Sequence, residues 1–432
     1  MSLARRLRLA GFLVAMLAMA ASSGCGAGEG DRVTLRFWAM GREGEVVTEL
    51  MHEFEAEHPG VRVQVEKIPW SAAHEKLLTA HVGRSSPDVA QLGNSWMAEF
   101  HALRALAPVP AALAAQGVSR DSCFEGIWDT NVFDGLAYGV PWYVDTRVLF
   151  YRSDLFAKAG FASIPGDWEG FRLALHAVKA QAGPTRHAIF LPINEWVPPY
   201  VLGLSAGATM LNAEGTRGAF SSHEFRRGFD FYDRLYRERL APPVSNSEVA
   251  NMYQEFERGS FAAVITGPWN LGEFARRLSP ELQGSWSTAP LPGPDGPESG
   301  ASTAGGSSLV VFERSRHAEA AWQLIAFLSR PSIQARFFHL TGDLPAVRSA
   351  WADSALTHDP RIEAFRTQLQ RVRPAPLVPE WELIATLLQT QGEAVARGVL
   401  TPDSALARLD RDVDRVLEKR RWLHARKQGA TP

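Results

Sequence analysis

The run Gly203-Leu204-Ser205-Ala206-Gly207 has the spacing of a serine nucleophile elbow, chemistry that needs a strand turning sharply into a helix so that the hydroxyl stands free. Pro198-Pro199-Tyr200-Val201-Leu202 precedes it and makes a poor central strand, because proline removes a ladder donor; the segment is expected to be a small-residue helix end. His52-Glu53-Phe54-Glu55-Ala56-Glu57-His58 spaces its histidines too widely for a zinc-peptidase helix and turns Phe54 toward the core, so it reads as a solvated helix face. Asp410, Asp412 and Asp414 alternate with Arg408, Arg411 and Arg415, which predicts ion pairing on an exposed helix rather than a metal site. No G-x-x-x-x-G-K phosphate loop occurs. A hydrolase is thus the weaker reading, since no nucleophile with a base and no catalytic carboxylate pair is visible.

The aromatic residues say more. Thirteen tryptophans is a high count, and Trp96, Trp142, Trp196, Trp269 and Trp381 stand in expected loops beside Gly, Pro, Asn or acidic residues. Trp168 and Trp322 are assigned to core packing. Rings next to carboxylates and amides suit a sugar, whose C–H faces pack on aromatic rings and whose hydroxyl edges need charged or amide partners. For any one of these tryptophans, core packing remains the alternative.

The elements that must hold these residues follow from periodicity. Val33, Leu35 and Phe37 alternate with Thr34, Arg36 and Trp38 as in a strand. Val46, Val47, Leu50, Met51 and Phe54 stripe a helix that His58-Pro59-Gly60 ends. Val61, Val63 and Val65 then alternate, giving a strand–helix–strand unit with its two strands parallel. A helix over 72–82, a short buried strand over 87–92, a strand-like run over 144–151 and a helix over 154–159 follow. Helical patterns dominate 171–239; strands are expected at 262–266 and 308–312 around a Pro- and Gly-rich loop at 289–306. Ala318, Ala321, Trp322, Ile325 and Leu328 predict an amphipathic helix, and the remainder is helical with a loop at 373–379. In such an α/β chain, ligands sit beyond the carboxyl ends of strands.

With 432 residues the chain exceeds what one core normally organises, which points to two domains. Its composition, 46% hydrophobic and 21% charged, is that of a globular protein. Three of the basic residues, Arg5, Arg6 and Arg8, open a leader, so the remaining chain is more acidic than the formal −2 and nucleic acid is excluded as a partner. An apolar run over 9–21 followed by Ser22-Ser23-Gly24-Cys25 is a secretion signal whose end resembles the bacterial lipobox, with Ser22 where that motif usually has Leu. Residues 1–25 are read as the signal, Cys25 as the lipidated residue and 26–31 as a glycine-rich tether; cleavage after Ala18-Met19-Ala20 is the rival. Lipid on Cys25 would leave Cys123 unpaired, a small buried hydrophobe. No cofactor and no metal are called for.

The ordered set of motifs over 35–415 resembles the sugar-binding proteins of ABC importers, the maltose-binding-protein-like extracellular solute-binding family. Leu35-Arg36-Phe37-Trp38-Ala39-Met40-Gly41-Arg42-Glu43 looks like the family's first strand and ligand loop, and Ser86-Pro87-Asp88-Val89 with Asn94-Ser95-Trp96 like the second. The segment from Gly135-Leu136-Ala137-Tyr138-Gly139-Val140-Pro141 through Asp145 to Leu149-Phe150-Tyr151-Arg152 is similar to the crossover. Phe256-Glu257-Arg258-Gly259 with Thr266-Gly267-Pro268-Trp269 is similar to the return crossover. The resemblance implies a two-lobed periplasmic-binding-protein-like α/β fold (type II) with the ligand cleft between lobes, one lobe holding 31–142 and 269–324 and the other 143–268 and 325–428. It implies a monomeric, extracytoplasmic receptor, lipid-anchored or periplasmic, that closes on a carbohydrate and presents it to permease subunits, without catalysis. The implied ligand residues are Arg42, Glu43, Asn94, Ser95, Trp96, Tyr143, Asp145, Glu195, Trp196, Trp269, Asn270, Gly305, Gly306 and Trp381. Asn94-Ser95-Trp96 departs from the charged pair of maltose binders, so the resemblance does not extend to maltodextrin specificity. Arg42 and Arg147 leave glycerol 3-phosphate, a polyol or another small polar solute as the alternative ligand of the same fold.

Overall fold

The computed structural model describes residues 32–427; the expected leader, Cys25 and the tether over 26–31 lie outside the described residues. Strand β1 (Val33–Met40) sends Leu35, Phe37 and Ala39 to one face, against Val46, Val47, Leu50 and Phe54 of the helix Gly41–Glu57. Trp38 and Met40 go to the other face, against Ala73 and Leu77 of the helix Trp70–Val82. A strand covered on both faces by helices is the α/β arrangement the alternation requires. Strand β2 (Val61–Ile68) runs parallel to β1 with Val33 opposite Val61, and β3 (Val89–Gly93) lies parallel on the other side of β1.

The chain then supplies β4 (Val140–Asp145), β5 (Val148–Tyr151), β6 (Ile189–Phe190), β7 (Ala263–Thr266), β8 (Ser287–Ala289), β9 (Gly305–Val311) and β10 (Leu344–Pro345). These form two sheets, in the orders β10-β4-β9-β3-β1-β2 and β8-β5-β7-β6. Each sheet carries a core on each face. In the second, Leu149, Ala263 and Ile265 join one cluster, and Val148, Phe150 and Val264 the other, the period of two expected of strands buried on both sides. The result is the expected two-lobed α/β architecture.

The strand-like run expected over 144–151 is two strands in different sheets, broken at Thr146-Arg147 where the chain passes between lobes. Both halves are apolar because both are buried, so periodicity cannot show the break. Sheet membership also divides the chain differently from the expected 31–142 with 269–324 and 143–268 with 325–428. β4 keeps the first lobe intact to Asp145. β8 pairs antiparallel with β5, which holds 269–301 in the second lobe; the return to the first comes at Gly305. The helices Ala318–Leu328 and Pro331–Thr341 both pack on the first sheet through Trp322, Ile325 and Phe337, and β10 pairs with β4. The chain crosses once more after Pro345, and Phe365 packs on Phe150 in the second lobe. Gly267-Pro268 ends a strand at the cleft, and that punctuation resembles a crossover in sequence.

Other expectations resolve locally. Trp168 and Trp322 are core residues, Trp168 stacked on Phe231 at 4.6 Å. Cys123 is buried and unpaired, its thiol pushed up to about 11 by burial. Ser205 ends the helix Val197–Ser205, buried, with its hydroxyl tied to both the N–H and the carbonyl of Ala301, the opposite of an exposed nucleophile. Of the three alternating aspartates, Asp412 pairs with Arg408 and Arg415 as expected. Asp410 departs from that pattern: its two oxygens accept from the backbone N–H groups of Phe220 and Ser221, each at 2.8 Å. Asp410→Ala removes two charge-assisted bonds that tie the helix Pro402–Val416 to the loop before the helix His223–Arg237. It is expected to cost about 2 kcal/mol in chemical denaturation, with a lower midpoint and an unchanged slope.

Candidate ligand-binding cleft

A cleft of about 540 Å³ lies between the two sheets. Its walls come from element ends. β1 runs into the first turn of the helix Gly41–Glu57, which carries Arg42 and Glu43; β3 ends at Gly93 and is followed by Asn94, Ser95 and Trp96; β4 ends at Asp145; β7 is followed by Gly267-Pro268-Trp269. These are carboxyl ends of strands, where an α/β sheet leaves backbone and loop groups open. The antiparallel strand β9 adds its first residues, Gly305 and Gly306, and Asp343 precedes β10.

Eleven of the fourteen residues expected at a ligand line this cleft: Arg42, Glu43, Asn94, Ser95, Trp96, Tyr143, Asp145, Trp196, Trp269, Gly305 and Gly306. Glu195, Asn270 and Trp381 are not among the lining residues. Glu195 accepts a hydrogen bond from Asn246 at 2.6 Å, although its charge is felt at Asp145. Asn270 is buried with both ends of its amide used inside the second lobe, by the Tyr253 hydroxyl at 3.0 Å and Thr266 at 2.7 Å. Trp381, 0% exposed, starts the helix Trp381–Ala396 and meets Trp196 edge-on at 5.5 Å, so it backs the lining ring rather than lining the cleft itself. Trp142, on the other side of β4 from the cleft groups, stacks on Phe337 in the core.

Sequence reasoning missed Trp70, Glu273, Asp343 and Glu382. Trp70 opens its helix after Pro69, is 39% exposed and packs edge-on to Trp96 at 5.8 Å. The signal for it was present, a tryptophan after a proline following a strand. Nothing local marks Asp343 or Glu382, which the fold brings in from 200 or more residues beyond the first-lobe ligand loops.

Four tryptophans therefore face one space, Trp70 and Trp96 from the first lobe and Trp196 and Trp269 from the second. Arg147 covers Trp269, its guanidinium 4.5 Å from the ring, and bonds both oxygens of Asp145 at 3.0 Å. The ring folds back over Gly267, where a Cβ would fall inside the indole and against Arg147. Glu43 is held from behind: it accepts from the Tyr143 hydroxyl at 2.7 Å and from Gln91 at 3.3 Å, and Gln91 bonds Tyr143 and Ser307 in turn. Burial raises the pKa of Glu43, and these donors oppose the rise. Asn94, 4% exposed, accepts from Ser308 at 3.0 Å while its amide nitrogen has no hydrogen-bond partner among the described residues, a donor left over at the cleft wall.

Glu382 belongs to the second lobe, yet its carboxylate is buried against Ser95 and Trp96 of the first, whose polar groups favour the charged form while burial raises its pKa. Beside Trp96, His74 is bonded to Glu99 at 2.7 Å and packs against the indole at 5.1 Å between ring centroids. Glu382 thus links the two walls of the cleft.

The profile for bacterial extracellular solute-binding proteins matches residues 40–335. Among solved structures, the sugar-binding protein MalE from the phytopathogen Xanthomonas citri is 45% identical, covers 91% of this chain and 99% of its own, and superposes with a TM-score of 0.85. An uncharacterised lipoprotein of Streptomyces antibioticus is 29% identical over 87% of this chain and 86% of its own. The diacetylchitobiose-binding protein of Streptomyces coelicolor is 23% identical over 86% of this chain and 87% of its own.

Glu382→Ala removes a carboxylate that the second lobe sets against Ser95 and Trp96. Without ligand, the variant is expected to show a larger radius of gyration than the parent in small-angle scattering, with unchanged far-UV circular dichroism. An identical radius would show that Glu382 does not hold the lobes together.

Proposed function

The chain belongs to the bacterial extracellular solute-binding protein family, and from that premise we propose that it captures a neutral sugar between its lobes and delivers it to the permease of an ABC importer. The observation that carries this reading is the set of four tryptophans, two from each lobe, facing one cleft beside carboxylates and an amide. Indole faces pack on the C–H faces of a pyranose while Glu43, Asp145 and Asn94 suit its hydroxyls. Sugar-binding relatives support it. The protein is a receptor rather than an enzyme in this reading, with closure driven by the ligand's greater affinity for the closed state.

Charge separates a sugar from glycerol 3-phosphate. Five acidic side chains line the cleft, Glu43, Asp145, Glu273, Asp343 and Glu382, against the guanidiniums of Arg42 and Arg147. Both guanidiniums already have an acid, Glu45 at 3.3 Å for Arg42 and Asp145 for Arg147. A phosphate would have to displace a carboxylate and then sit among the others, which costs Coulomb energy at every step.

A thermal-shift screen pairing neutral mono- and disaccharides with glycerol 3-phosphate and glucose 6-phosphate tests this directly. Stabilisation by a neutral sugar and none by the phosphates is the expected pattern; the reverse would favour the anion. Trp269→Ala is expected to weaken the best sugar by about 1–3 kcal/mol in calorimetric titration, with the fold intact. A lowered melting temperature with normal affinity would make Trp269 a packing residue instead.

The leader points to anchoring at the membrane by lipid on Cys25, and the lipoprotein among the relatives supports it. Mass spectrometry of the protein from its native host is expected to find a diacylated N-terminal Cys25. An unmodified N-terminus at Ala21 would mean release into the periplasm or medium.

A further inference from the structure

The cross-strand register places two acids side by side on the cleft floor. β10 runs antiparallel to β4 with Leu344 opposite Val144 and Pro345 opposite Tyr143, so the next step of the ladder sets Asp343 opposite Asp145. On its other side Asp145 faces Gly305, which offers no side chain. Like charges directly opposite on neighbouring strands repel, and Asp343 is 3% exposed, so solvent does little to screen the pair.

The partners decide which acid stays charged. Asp145 has both oxygens on the Arg147 guanidinium. Glu43, whose charge also reaches Asp343, is held as an acceptor by Tyr143 and Gln91. Among the described residues Asp343 has neither a cation nor such a donor array: the groups acting on it are the acids Glu43 and Asp145, the phenol of Tyr143 within reach of its field, and the Thr341 hydroxyl, which favours its charged form. That hydroxyl is already engaged, donating to the Phe337 carbonyl and accepting from the Asp343 N–H at 2.9 Å. Burial and the two neighbouring carboxylates hold the Asp343 carboxyl well above the usual range.

We infer that Asp343 enters the cleft as a neutral carboxylic acid and donates its proton in a hydrogen bond to an oxygen of the bound sugar, making it a specificity-determining residue for neutral, oxygen-rich ligands. The inference rests on the sugar reading above. A carboxyl kept neutral in this way is a donor among acceptors, supplying a donor where Glu43 and Asp145 can only accept. Selection against anionic sugars is left to Glu43 and Asp145, since the guanidiniums of Arg42 and Arg147 that line the same cleft already hold acids.

The sign of the pH dependence follows. A sugar oxygen that accepts from the acid binds the protonated form better, so binding takes up protons, and affinity is lost as pH rises through the raised value, by up to about tenfold per pH unit. Difference infrared spectroscopy of the unliganded protein and of Asp343→Asn comes first and needs no ligand. The parent is expected to show the carbonyl stretch of a protonated carboxyl at neutral pH that the variant lacks. Absence of that difference band would overturn the assignment.

Titration calorimetry with maltose, lactose and diacetylchitobiose as probes, from about pH 5 to about pH 9, then reads the donor role. For whichever probe binds, the parent should weaken with rising pH. Asp343→Asn, whose amide donates at every pH, should flatten the profile and overtake the parent at the alkaline end. Asp343→Ala should be weaker than the parent by tenfold or more at the acid end. Parallel profiles for parent and Asp343→Asn across the pH range in which the parent's infrared band disappears would remove the donor role while leaving sugar binding in place. Failure of all three sugars to bind would remove the functional reading and the donor role with it, whereas the infrared band decides separately where the proton sits.

Discussion

Strand β4 ends at Asp145 between two antiparallel neighbours, and the cleft is organised around that end. Because β9 and β10 run the other way, the first residue of β9, Gly305, and the residue before β10, Asp343, meet its last one. Gly306 adopts φ +126°, and a Cβ there would strike the Tyr143 carbonyl, so only glycine lets β9 lie this close. Two residues past Asp145 the chain has left the first sheet, and Arg147 reaches back to grip both oxygens of the acid it has just passed. The same guanidinium carries the Trp269 ring on its face. One short stretch of backbone thereby fixes an acid of one lobe, an aromatic of the other and the crossing between them.

The polar groups behind the cleft explain how charge survives there. A buried ionised acid is costly unless it is bonded or paired. Glu43 meets that condition through Tyr143, Gln91 and Ser307, a network anchored when Gln91 accepts from the Met40 N–H at 2.7 Å. Asp145 meets it through Arg147. These contacts are made within the protein itself, so the groups that would read a sugar's hydroxyls are oriented by their neighbours, and little side-chain entropy remains to be lost on binding. The second lobe contributes differently. Its cleft wall is largely apolar, from Trp196, Val197, Trp269, Ala375 and Leu377, with Trp196 buttressed by Trp381 and Tyr200, and Glu382 is an acid it extends across to the first lobe.

The tryptophans show how local pattern and burial diverge. Trp142, Trp196, Trp269 and Trp381 all stand beside Pro, Asn or acidic residues. Trp142 is on β4, whose alternation turns it into the core against Phe337. Trp381 begins a helix and points inward. Trp196 and Trp269 sit at the N-terminal ends of helices that abut the cleft and remain partly open. A ring's neighbours in sequence say that it is near a turn; they do not say which side of the turn faces the cleft.

The sequence by itself determined the α/β class, the first strand–helix–strand unit and the core roles of Trp168, Trp322 and Cys123, because these depend on periodicity and on residues within one element or turn, whereas the loops that line the cleft were indicated only by the resemblance. Through the resemblance its ordered motifs carry, it also pointed to the family. What only the tertiary structure decided is where the chain changes lobes and which distant residues complete the cleft. The break at Thr146-Arg147 is silent because β4 and β5 are equally apolar, and the Gly267-Pro268 punctuation that looks like a crossing is a strand end at the cleft. Asp343 and Glu382 carry no local signature, since a carboxylate's environment is made by whatever the fold sets opposite it. For Asp343 that is Asp145, nearly two hundred residues earlier, brought into register by two paired residues of β10.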